Sequence, residues 1–222
     1  MQNTKQKKEN NVLIDEYFKT HIYNRCKSTI EKYEMIKPGD RVALEIAWDC
    51  NTLTLLAFFL EYQKDRNYDF TIEYFVEQKC GKVDRLVEEV IEFAGISNYH
   101  IIDSDYKEEL YQSMKASNCN RMALHQNYNH VVKATLMTFI RKKKKIVLSP
   151  VVELEDQGIS MIRPMLMLKD HHILHWINKL GVNVSLADEI TLFGGASILE
   201  EGLEDEGIQA TSEYHFNVYE CV

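Results

Sequence analysis

The chain has 222 residues, a length that suits one α/β domain, or one domain with a short appendage. Hydrophobic residues make up 45% and charged residues 27%, which is ordinary for a soluble globular protein. The sequence contains no run of about 18 apolar residues, so we expect no helix that spans a membrane. Its polar start, MQNTKQKKENN, lacks the apolar core of a signal peptide. We therefore expect a cytoplasmic protein.

The cysteines are odd in number and form no CxxC pair; they are Cys26, Cys50, Cys80, Cys119 and Cys221. This pattern argues against a disulfide framework and against a CxxC-based zinc or iron–sulfur site. We expect reduced thiols.

The net charge of −8 is unevenly distributed, because no lysine or arginine follows Lys179. The tail carries nine acidic residues: Asp188, Glu189, Glu200, Glu201, Glu204, Asp205, Glu206, Glu213 and Glu220. Such an acidic end disfavours a long nucleic-acid footprint on its surface.

The first half of the chain alternates helical and strand patterns. An apolar stripe at helical spacing predicts a helix over 11–36, and the sequence Pro38-Gly39-Asp40 ends it. Alternating apolar residues predict a first strand over 42–46, and Asn51 or Thr52 is the expected cap of the next helix. A β-rich segment, 69–76, predicts the second strand.

The alternation continues in the second half. Helices are predicted over 83–94, 107–117, 128–141 and 170–180, and strands over 99–102 and 121–125. Residues 146–168 contain apolar runs around a polar turn, EDQG. This order predicts an α/β fold, a doubly wound parallel sheet of about five strands with helices on both faces, Rossmann-like.

The predicted organisation has three parts: an N-terminal helical lead-in (1–36), an α/β domain (37–182) and an acidic C-terminal appendage (183–222). Ligands of such sheets bind at the carboxyl ends of strands, where the strand order reverses. The loop after the first strand, 47–52, is therefore the candidate site.

Three strings resemble the tRNA 2-thiocytidine synthetase family, in order and at suitable spacing. GDRVALEIAWDCNTLTLL (39–56) is similar to the family's GDKIAVGLSGGKDSLTLL, and NCNRMALHQNYNHVVKATLMTFI (118–140) is similar to GCNKVALGHHLDDVIETFLLSLF. SPVVELEDQGISMIRPMLML (149–168) is similar to SPVTYLDRTGITVIRPMIYV. The resemblance implies the PP-loop fold of the adenine nucleotide α-hydrolase group. Members of that family activate a tRNA base as an adenylate with ATP and magnesium, and then deliver sulfur to it.

The family's phosphate loop, SGGxDS, is replaced by a loop that has no glycine: Ala47, Trp48, Asp49, Cys50, Asn51 and Thr52. Glycines let backbone N–H groups approach the phosphates closely. Here Trp48 adds bulk, and Asp49 adds a negative charge that would face a polyanion. We expect Trp48 to plug the vacated phosphate site; stacking on a planar ligand is the alternative.

The family's GHHxDD motif has also lost both carboxylates, and the corresponding side chains are His125, Gln126, Asn127, Asn129 and His130. Magnesium prefers carboxylate and phosphate oxygens. The family's CxxC and its later cysteine motif are absent as well. We therefore expect no metal and no iron–sulfur cluster, with ATP and magnesium only if the site works in an altered form. The polar patch that these five side chains form either binds a neutral small molecule or is only the remaining polar rim of the cleft.

Other candidates are weaker. Cys50 lies beside a helix N-terminus, which favours a thiolate, although Asp49 opposes it, and a plain exposed thiol is the expectation. His171, His172 and His175 share a helix and could hold a metal, but a solvated face is the simpler interpretation. A basic run could contact RNA, or complement a helix dipole: Arg141, Lys142, Lys143, Lys144 and Lys145. The pair Gly194-Gly195 favours a turn over a phosphate loop.

Three hypotheses for function follow. The first is a catalytically degenerate PP-loop protein that acts as an accessory or regulatory binding subunit, whose partner is a homologous active synthetase or a second copy. The second is an active ATP-dependent tRNA-modifying enzyme, by sulfur transfer or adenylation, with an altered site. The third is non-ATP chemistry by Cys50 with His125 or His130. We favour the first, because the apolar faces are intact while the site residues have changed.

Overall fold

The computed structural model describes residues 14–79, 81–103, 107–142, 148–182 and 184. Its strands are β1 (Arg41–Ile46), β2 (Thr71–Lys79), β3 (Lys82–Val83), β4 (His100–Asp103), β5 (Arg121–Ala123), β6 (Val151–Leu154) and β7 (Ile159–Ile162). A π-helical segment (Phe18–Tyr23) continues into α1 (Asn24–Lys32), and the further helices are α2 (Cys50–Asp65), α3 (Arg85–Ala94), α4 (Lys107–Ala116), α5 (Tyr128–Lys142) and α6 (Asp170–Lys179). No helix within these described residues has the length and apolarity that a membrane crossing needs.

Five strands form a parallel sheet in the order β4-β2-β1-β5-β7. The predicted doubly wound sheet of about five parallel strands is therefore confirmed. Two short antiparallel strands add to it: β3 folds back on β2, and β6 pairs with β7 across the turn in the apolar runs of 146–168.

The strand order reverses between β1 and β5. From β1 the chain moves outward to β2 and β4 on one side, and β5 and β7 are then added on the other side. The crevice between the carboxyl ends of β1 and β5 is the position where doubly wound sheets bind ligands. Gln78 of β2 pairs with Asp103 of β4 on one side and with Val83 of β3 on the other. Strand β3 therefore lies on the same edge of β2 as β1, just beyond the carboxyl end of β1.

Helices cover both faces of the sheet, and each face has its own apolar cluster. Val42, Leu44 and Ile46 belong to the main cluster with α1, α2 and α6, whereas Ala43 belongs to a second cluster with α4. This alternation follows from the pleat of a strand, which sends successive side chains to opposite faces. Because both clusters are buried, β1 is rigidly placed and its carboxyl end is a fixed platform.

The N-terminal helix packs on the main cluster through the predicted stripe: Phe18, Ile22, Cys26 and Ile30 are buried. These residues recur at every fourth position, which is wider than the period of an α-helix. The π-helical segment, with its wider turn, takes up part of that difference and keeps the stripe facing α6. Phe18 packs against the buried Trp176, with ring centroids 4.8 Å apart.

Beside that contact, aromatic side chains of the N-terminal helix and α6 interleave. Tyr17 lies between His21 and His175, with centroid distances of 4.5 and 4.3 Å. The ring of His21 stacks on that of His172 at 5.5 Å, and the Tyr17 hydroxyl lies 3.4 Å from His172 Nδ1. Burial, which is the main cause, and the charges of His171, Arg25, His21 and Lys169 together lower the pKa of His172 to about 4. The histidine-rich face of α6 is thus a helix–helix contact as well as a solvated face.

The pKa of His172 predicts a pH dependence of stability. The native side chain stays neutral while the unfolded one takes up a proton near pH 6.5, so stability falls as pH drops from about 6.5 to about 4. We expect His172→Gln to remove about 1–2 kcal/mol of that loss, measured by urea unfolding across the range. His175→Gln, on the same helix, is the control. An unchanged pH profile in His172→Gln would contradict the assignment.

Candidate functional site

The N-terminus of α2 is capped by the carboxylate of Asp49. Its Oδ1 accepts hydrogen bonds from the backbone N–H groups of Asn51 and Thr52, at 2.8 and 2.9 Å, and its Oδ2 accepts one from the Thr52 hydroxyl at 2.6 Å. The predicted caps, Asn51 and Thr52, are wrong by two or three positions, since both lie inside the helix. Asp49 is buried, so its charge faces the positive end of the helix dipole and not solvent.

The residues before this cap lead the chain out of β1 without a glycine. Ala47 and Trp48 are half-buried, and the Trp48 side chain packs against the main apolar cluster. The indole therefore contributes to the core beside the helix N-terminus. This position agrees with the plugging hypothesis for Trp48, which stays a prediction until the site is tested with ligands.

Cys50, the first residue of α2, is buried. The expectation of an exposed thiol is therefore wrong. The Cys50 thiol donates a hydrogen bond to the carbonyl oxygen of Val184 at 3.3 Å. Burial, which is the main cause, and the neighbouring charge of Asp49 together raise the pKa of the Cys50 thiol to about 11. Both contacts argue against a nucleophilic role, because the thiolate is the reactive species.

Asn51 connects the two loops of the switch point. Its amide nitrogen lies 3.0 Å from His130 Nδ1 and donates a longer bond, of 3.4 Å, to the carbonyl oxygen of His125. The side chain is fully buried, and its Oδ1 has no hydrogen-bond partner. The first turns of α2 and α5 are therefore held together through one amide.

The two histidines that the sequence placed at the second loop meet edge to face, with ring centroids 6.3 Å apart. His125 is buried, and burial lowers its pKa; the charge of Asp49 opposes this shift and His130 adds to it. His125 is therefore neutral at pH 7. A neutral imidazole in this position can accept or donate a hydrogen bond, but it brings no positive charge to a phosphate.

The N-termini of α5 and α6 are also satisfied by side chains of the second loop. Asn127 Oδ1 accepts from the backbone N–H of His130 at 3.1 Å, and its amide nitrogen donates to Asp170 at 2.6 Å. The Oδ1 of Asn129 accepts from the backbone N–H of Asp170 at 3.2 Å. The sequence patterns did not single out Asp170, whose partners lie more than forty positions away in the chain.

A buried ion-dipole contact completes the loop. The Arg163 guanidinium, which is 1% exposed, donates from Nε to Gln126 Oε1 at 2.8 Å and from Nη1 to the carbonyl oxygen of Ser149 at 2.5 Å. The buried Gln126 side chain is thereby held by the arginine that follows β7. Arg163 was quoted only as part of a family-like string, and no local signal marked it as a site residue.

Three helix N-termini thus converge at the switch point, and at each of them a side chain of this protein accepts at least one backbone N–H. The described part of the chain contains no group of three or more His, Cys, Asp or Glu side chains arranged to hold a metal ion. The two carboxylates of the site, Asp49 and Asp170, are both engaged in hydrogen bonds. The arrangement suits hydrogen-bonded packing of loops.

The remaining candidates lie away from the site or outside the described residues. His171 and His175 are on the exposed side of α6. Arg141 and Lys142 belong to the last turn of α5, where side-chain positions are not described. Lys143, Lys144, Lys145 and the pair Gly194-Gly195 lie outside the described residues.

Comparison with known proteins gave matches among solved structures. No protein-family profile and no curated protein matches the chain. The U34-tRNA thiolase NcsA from Methanococcus maripaludis, solved with its [4Fe-4S] cluster, aligns with a TM-score of 0.56 and 15% identity over 83% of this chain and 72% of that one.

Two weaker matches are an FMN adenylyltransferase from Candida glabrata in complex with ATP and an NAD+ synthetase from Burkholderia pseudomallei. The first has a TM-score of 0.47 and 12% identity, over 70% of this chain and 53% of that chain. The second has a TM-score of 0.37 and 9% identity, over 83% and 82%. Scores this low carry no argument about function.

The protein therefore has a Rossmann-like α/β fold, as the resemblance implied, and shares that fold with the tRNA thiolase structure. The structural match to the tRNA thiolase has a TM-score above 0.5. At 15% identity this likeness shows the fold alone, and the chemistry has to be argued from the site.

The cap of α2 gives a stability prediction. We expect Asp49→Ala to lower the free energy of unfolding by about 1–2 kcal/mol, because two backbone N–H groups and one hydroxyl lose their acceptor. Asp49→Asn keeps an acceptor oxygen and should lose less. Asp84→Ala, at the exposed cap of α3 with one backbone bond, is the matched control and should lose least. Equal losses in all three variants, measured by urea unfolding, would contradict this account.

The burial of Cys50 predicts low reactivity. A thiol pKa near 11, against an ordinary value of 9.0, should slow alkylation by iodoacetamide at pH 7 about a hundredfold. Peptide mass spectrometry of partly alkylated protein measures this, and the same peptide after unfolding in urea provides the reference rate. Rapid labelling of native Cys50 would restore the nucleophile hypothesis.

Proposed function

We propose that this chain is a PP-loop-type protein related to tRNA thiolation enzymes that no longer uses ATP and acts as an accessory or regulatory binding subunit. The observation that supports the proposal is the Asp49 carboxylate on the first-turn N–H groups of α2. Helix N-termini bind phosphates through such N–H groups. In this chain a carboxylate of the protein itself occupies them.

A phosphate could reach these groups only by displacing Asp49, or by binding beside it. Two like unit charges about 4 Å apart repel by roughly 1 kcal/mol in water and 4 kcal/mol at a surface-like dielectric. A triphosphate carries several charges, so the repulsion is larger. The half-buried Trp48 removes the space that a close backbone approach requires.

Magnesium has no obvious place in the proposed site. Divalent magnesium is held by carboxylates together with substrate phosphates. The loop after β5 offers imidazoles and amides, and Asn127 and Asn129 are both bonded to Asp170. Without a metal to neutralise the phosphates, the repulsion between them and Asp49 stays uncompensated.

We also propose that the chain carries no iron–sulfur cluster. Three of its cysteines are described, and they are buried in different places: Cys26 in α1, Cys50 at the start of α2, and Cys119 in the cluster on the opposite face of the sheet. Cluster ligation needs cysteines that converge on one point. Cys26 and Cys119 cannot do so without unfolding the sheet.

The proposed role of the folded domain is to bind a partner macromolecule. The partners that we propose are a homologous active synthetase or a second copy of this chain, with tRNA as a weaker candidate through the basic run at Arg141 to Lys145. The retained core supports this, since an unused fold has no reason to keep both apolar clusters.

Nucleotide binding and pyrophosphate release test the proposal. We expect isothermal titration with ATP and magnesium at millimolar nucleotide to give no binding heat, and the melting temperature to stay unchanged, because a ligand of the native state would raise it. We also expect no pyrophosphate release above background with tRNA present. Micromolar binding, or tRNA-dependent pyrophosphate, would establish instead an active ATP-dependent tRNA-modifying enzyme.

The accessory role is tested separately by native mass spectrometry of the protein purified from its own cells at low salt. A stoichiometric complex with a synthetase, or a dimer, is the expected result. A monomer alone would remove the accessory role even if ATP binding is absent. The variant Trp48→Gly/Asp49→Gly in the same titration shows whether these two side chains are what excludes nucleotide.

A further inference from the structure

Strand β4 forms one edge of the sheet. It pairs with β2 along one side, in a parallel register that ends at Gln78 and Asp103, and no described strand pairs with its other side. Ile101 pairs with the fully buried Val76, so it lies on the sheet face that carries the main apolar cluster. Its side chain is nevertheless 46% exposed. The edge therefore offers backbone groups without a strand partner, next to an apolar side chain that stays open to solvent.

The opposite edge of the sheet is protected in ways that β4 is not. Proteins shield edge strands with lysine, proline, bulges or a covering segment. The opposite edge strand, β6, carries the exposed Glu153, and its Val152 and Leu154 pack on the second cluster. The sequence of β4, HIID, contains no lysine or proline, and its register with β2 is unbroken. Of these two edges, β4 is thus the one that is open to a further strand.

The surroundings of this open edge are acidic. From the cap of α3 to the end of β4 the chain has one basic residue, Arg85, and that residue pairs with Glu89. The same stretch has five acidic residues: Asp84, Glu88, Glu89, Glu92 and Asp103. A segment that binds at the edge therefore meets an excess of negative charge.

Two of these acids lie on the side of α3 that faces β4. Helix α3 connects β2 to β4 and buries Val87 and Ile91 against the sheet. Connections between parallel strands are right-handed, so the residue after each buried one, about 100° further around the helix, is on the β4 side. Those residues are the exposed Glu88 and Glu92. A strand added to β4 would pass beneath their carboxylates.

We propose that the free edge of β4 binds an extended, basic peptide segment of a partner protein by strand addition. This inference rests on the accessory binding role proposed above and assigns a surface to it. In strand addition, main-chain hydrogen bonds give affinity and alternate side chains give specificity. An apolar side chain of the added strand packs on Ile101, and lysine or arginine on the same face meets Glu88 and Glu92. A second copy is a poorer occupant because it brings the same acids to the edge, and the acids also repel an RNA backbone.

Two model peptides test the proposal on the full chain. Isotope-labelled protein is titrated with TKTVTKT, which has blocked ends and presents Lys, Val and Lys on one face, and with its acidic counterpart TETVTET. We expect millimolar TKTVTKT to shift the backbone amide NMR signals of Tyr99 to Asp103, and TETVTET to leave them in place. Sedimentation in the same buffer should show a monomer. The proposal is overturned if these signals do not move, if both peptides move them equally, or if the edge is already occupied by a second copy.

Single substitutions separate edge binding from general charge attraction. Ile101→Lys exchanges the apolar contact for a positive charge and should abolish the shifts, while its spectrum shows that it is folded. Leu136→Lys on α5 is the matched control, because Leu136 is 55% exposed and gains the same charge away from β4; its binding should be unchanged. Equal binding by the native chain and Ile101→Lys would remove β4 as the site.

The overhanging acids are tested in the same titration. Glu88→Gln/Glu92→Gln should weaken TKTVTKT binding roughly threefold or more at low salt, because two exposed ion pairs are lost. Glu89→Gln, on the same helix, should weaken it less, since Glu89 already pairs with Arg85. An equal or larger loss in Glu89→Gln would contradict the placement of the peptide beneath Glu88 and Glu92.

Failure of this inference can be told apart from failure of the proposed function. If neither peptide binds but native mass spectrometry finds a complex with a synthetase, the accessory role stands and β4 is not its surface. If TKTVTKT binds at β4 but the protein from its own cells has no partner, the assignment of the edge stands and the accessory role does not.

Discussion

The hydrogen bonds from the first turn of α2 to the Asp49 carboxylate determine what the rest of the site can do. A helix N-terminus offers unpaired N–H groups and a partial positive charge, and these attract an anion. In this protein the anion is part of the chain and sits directly before the helix. The cap fixes the start of α2 and hence the position of Asn51, whose amide reaches the first turn of α5. The order of the crevice between β1 and β5 depends on that one carboxylate.

The polar groups around the crevice have mutually compatible partners. Gln126 accepts from Arg163, and Asn127 joins α5 to Asp170. A buried donor or acceptor that is left unpaired costs about 1–3 kcal/mol. Among the described side chains, the buried atoms without a partner are Arg41 Nε, Asp69 Oδ1 and Asn51 Oδ1, and only the last lies in the crevice. The site residues therefore behave as a packed polar hub that joins three helices.

Sequence patterns predicted the fold well because it follows from local periodicity. The alternation of Val42, Leu44 and Ile46 and the stripe of the N-terminal helix both reappear as buried faces. The cap of α2 was misplaced because Asp49, Asn51 and Thr52 are all good capping residues, and the choice among them depends on where β1 ends. Asp170 and Arg163 were missed because their partners are distant in the chain, and a single sequence carries no signal of such contacts.

The burial of Cys50 shows how the same constraint limits the available chemistry. Sequence alone weighed the helix dipole, which favours a thiolate, against the neighbouring carboxylate. In the structure the Cys50 thiol donates a hydrogen bond to the carbonyl oxygen of Val184. The Asp49 carboxylate already accepts the N–H groups of the helix N-terminus, so the positive end of the dipole stabilises that carboxylate. A Cys50 thiolate at the same helix N-terminus would be repelled by the Asp49 carboxylate. Burial is the main cause of the raised pKa of Cys50, and Asp49 adds to it, so the carboxylate that we propose to exclude a phosphate also disfavours the Cys50 thiolate.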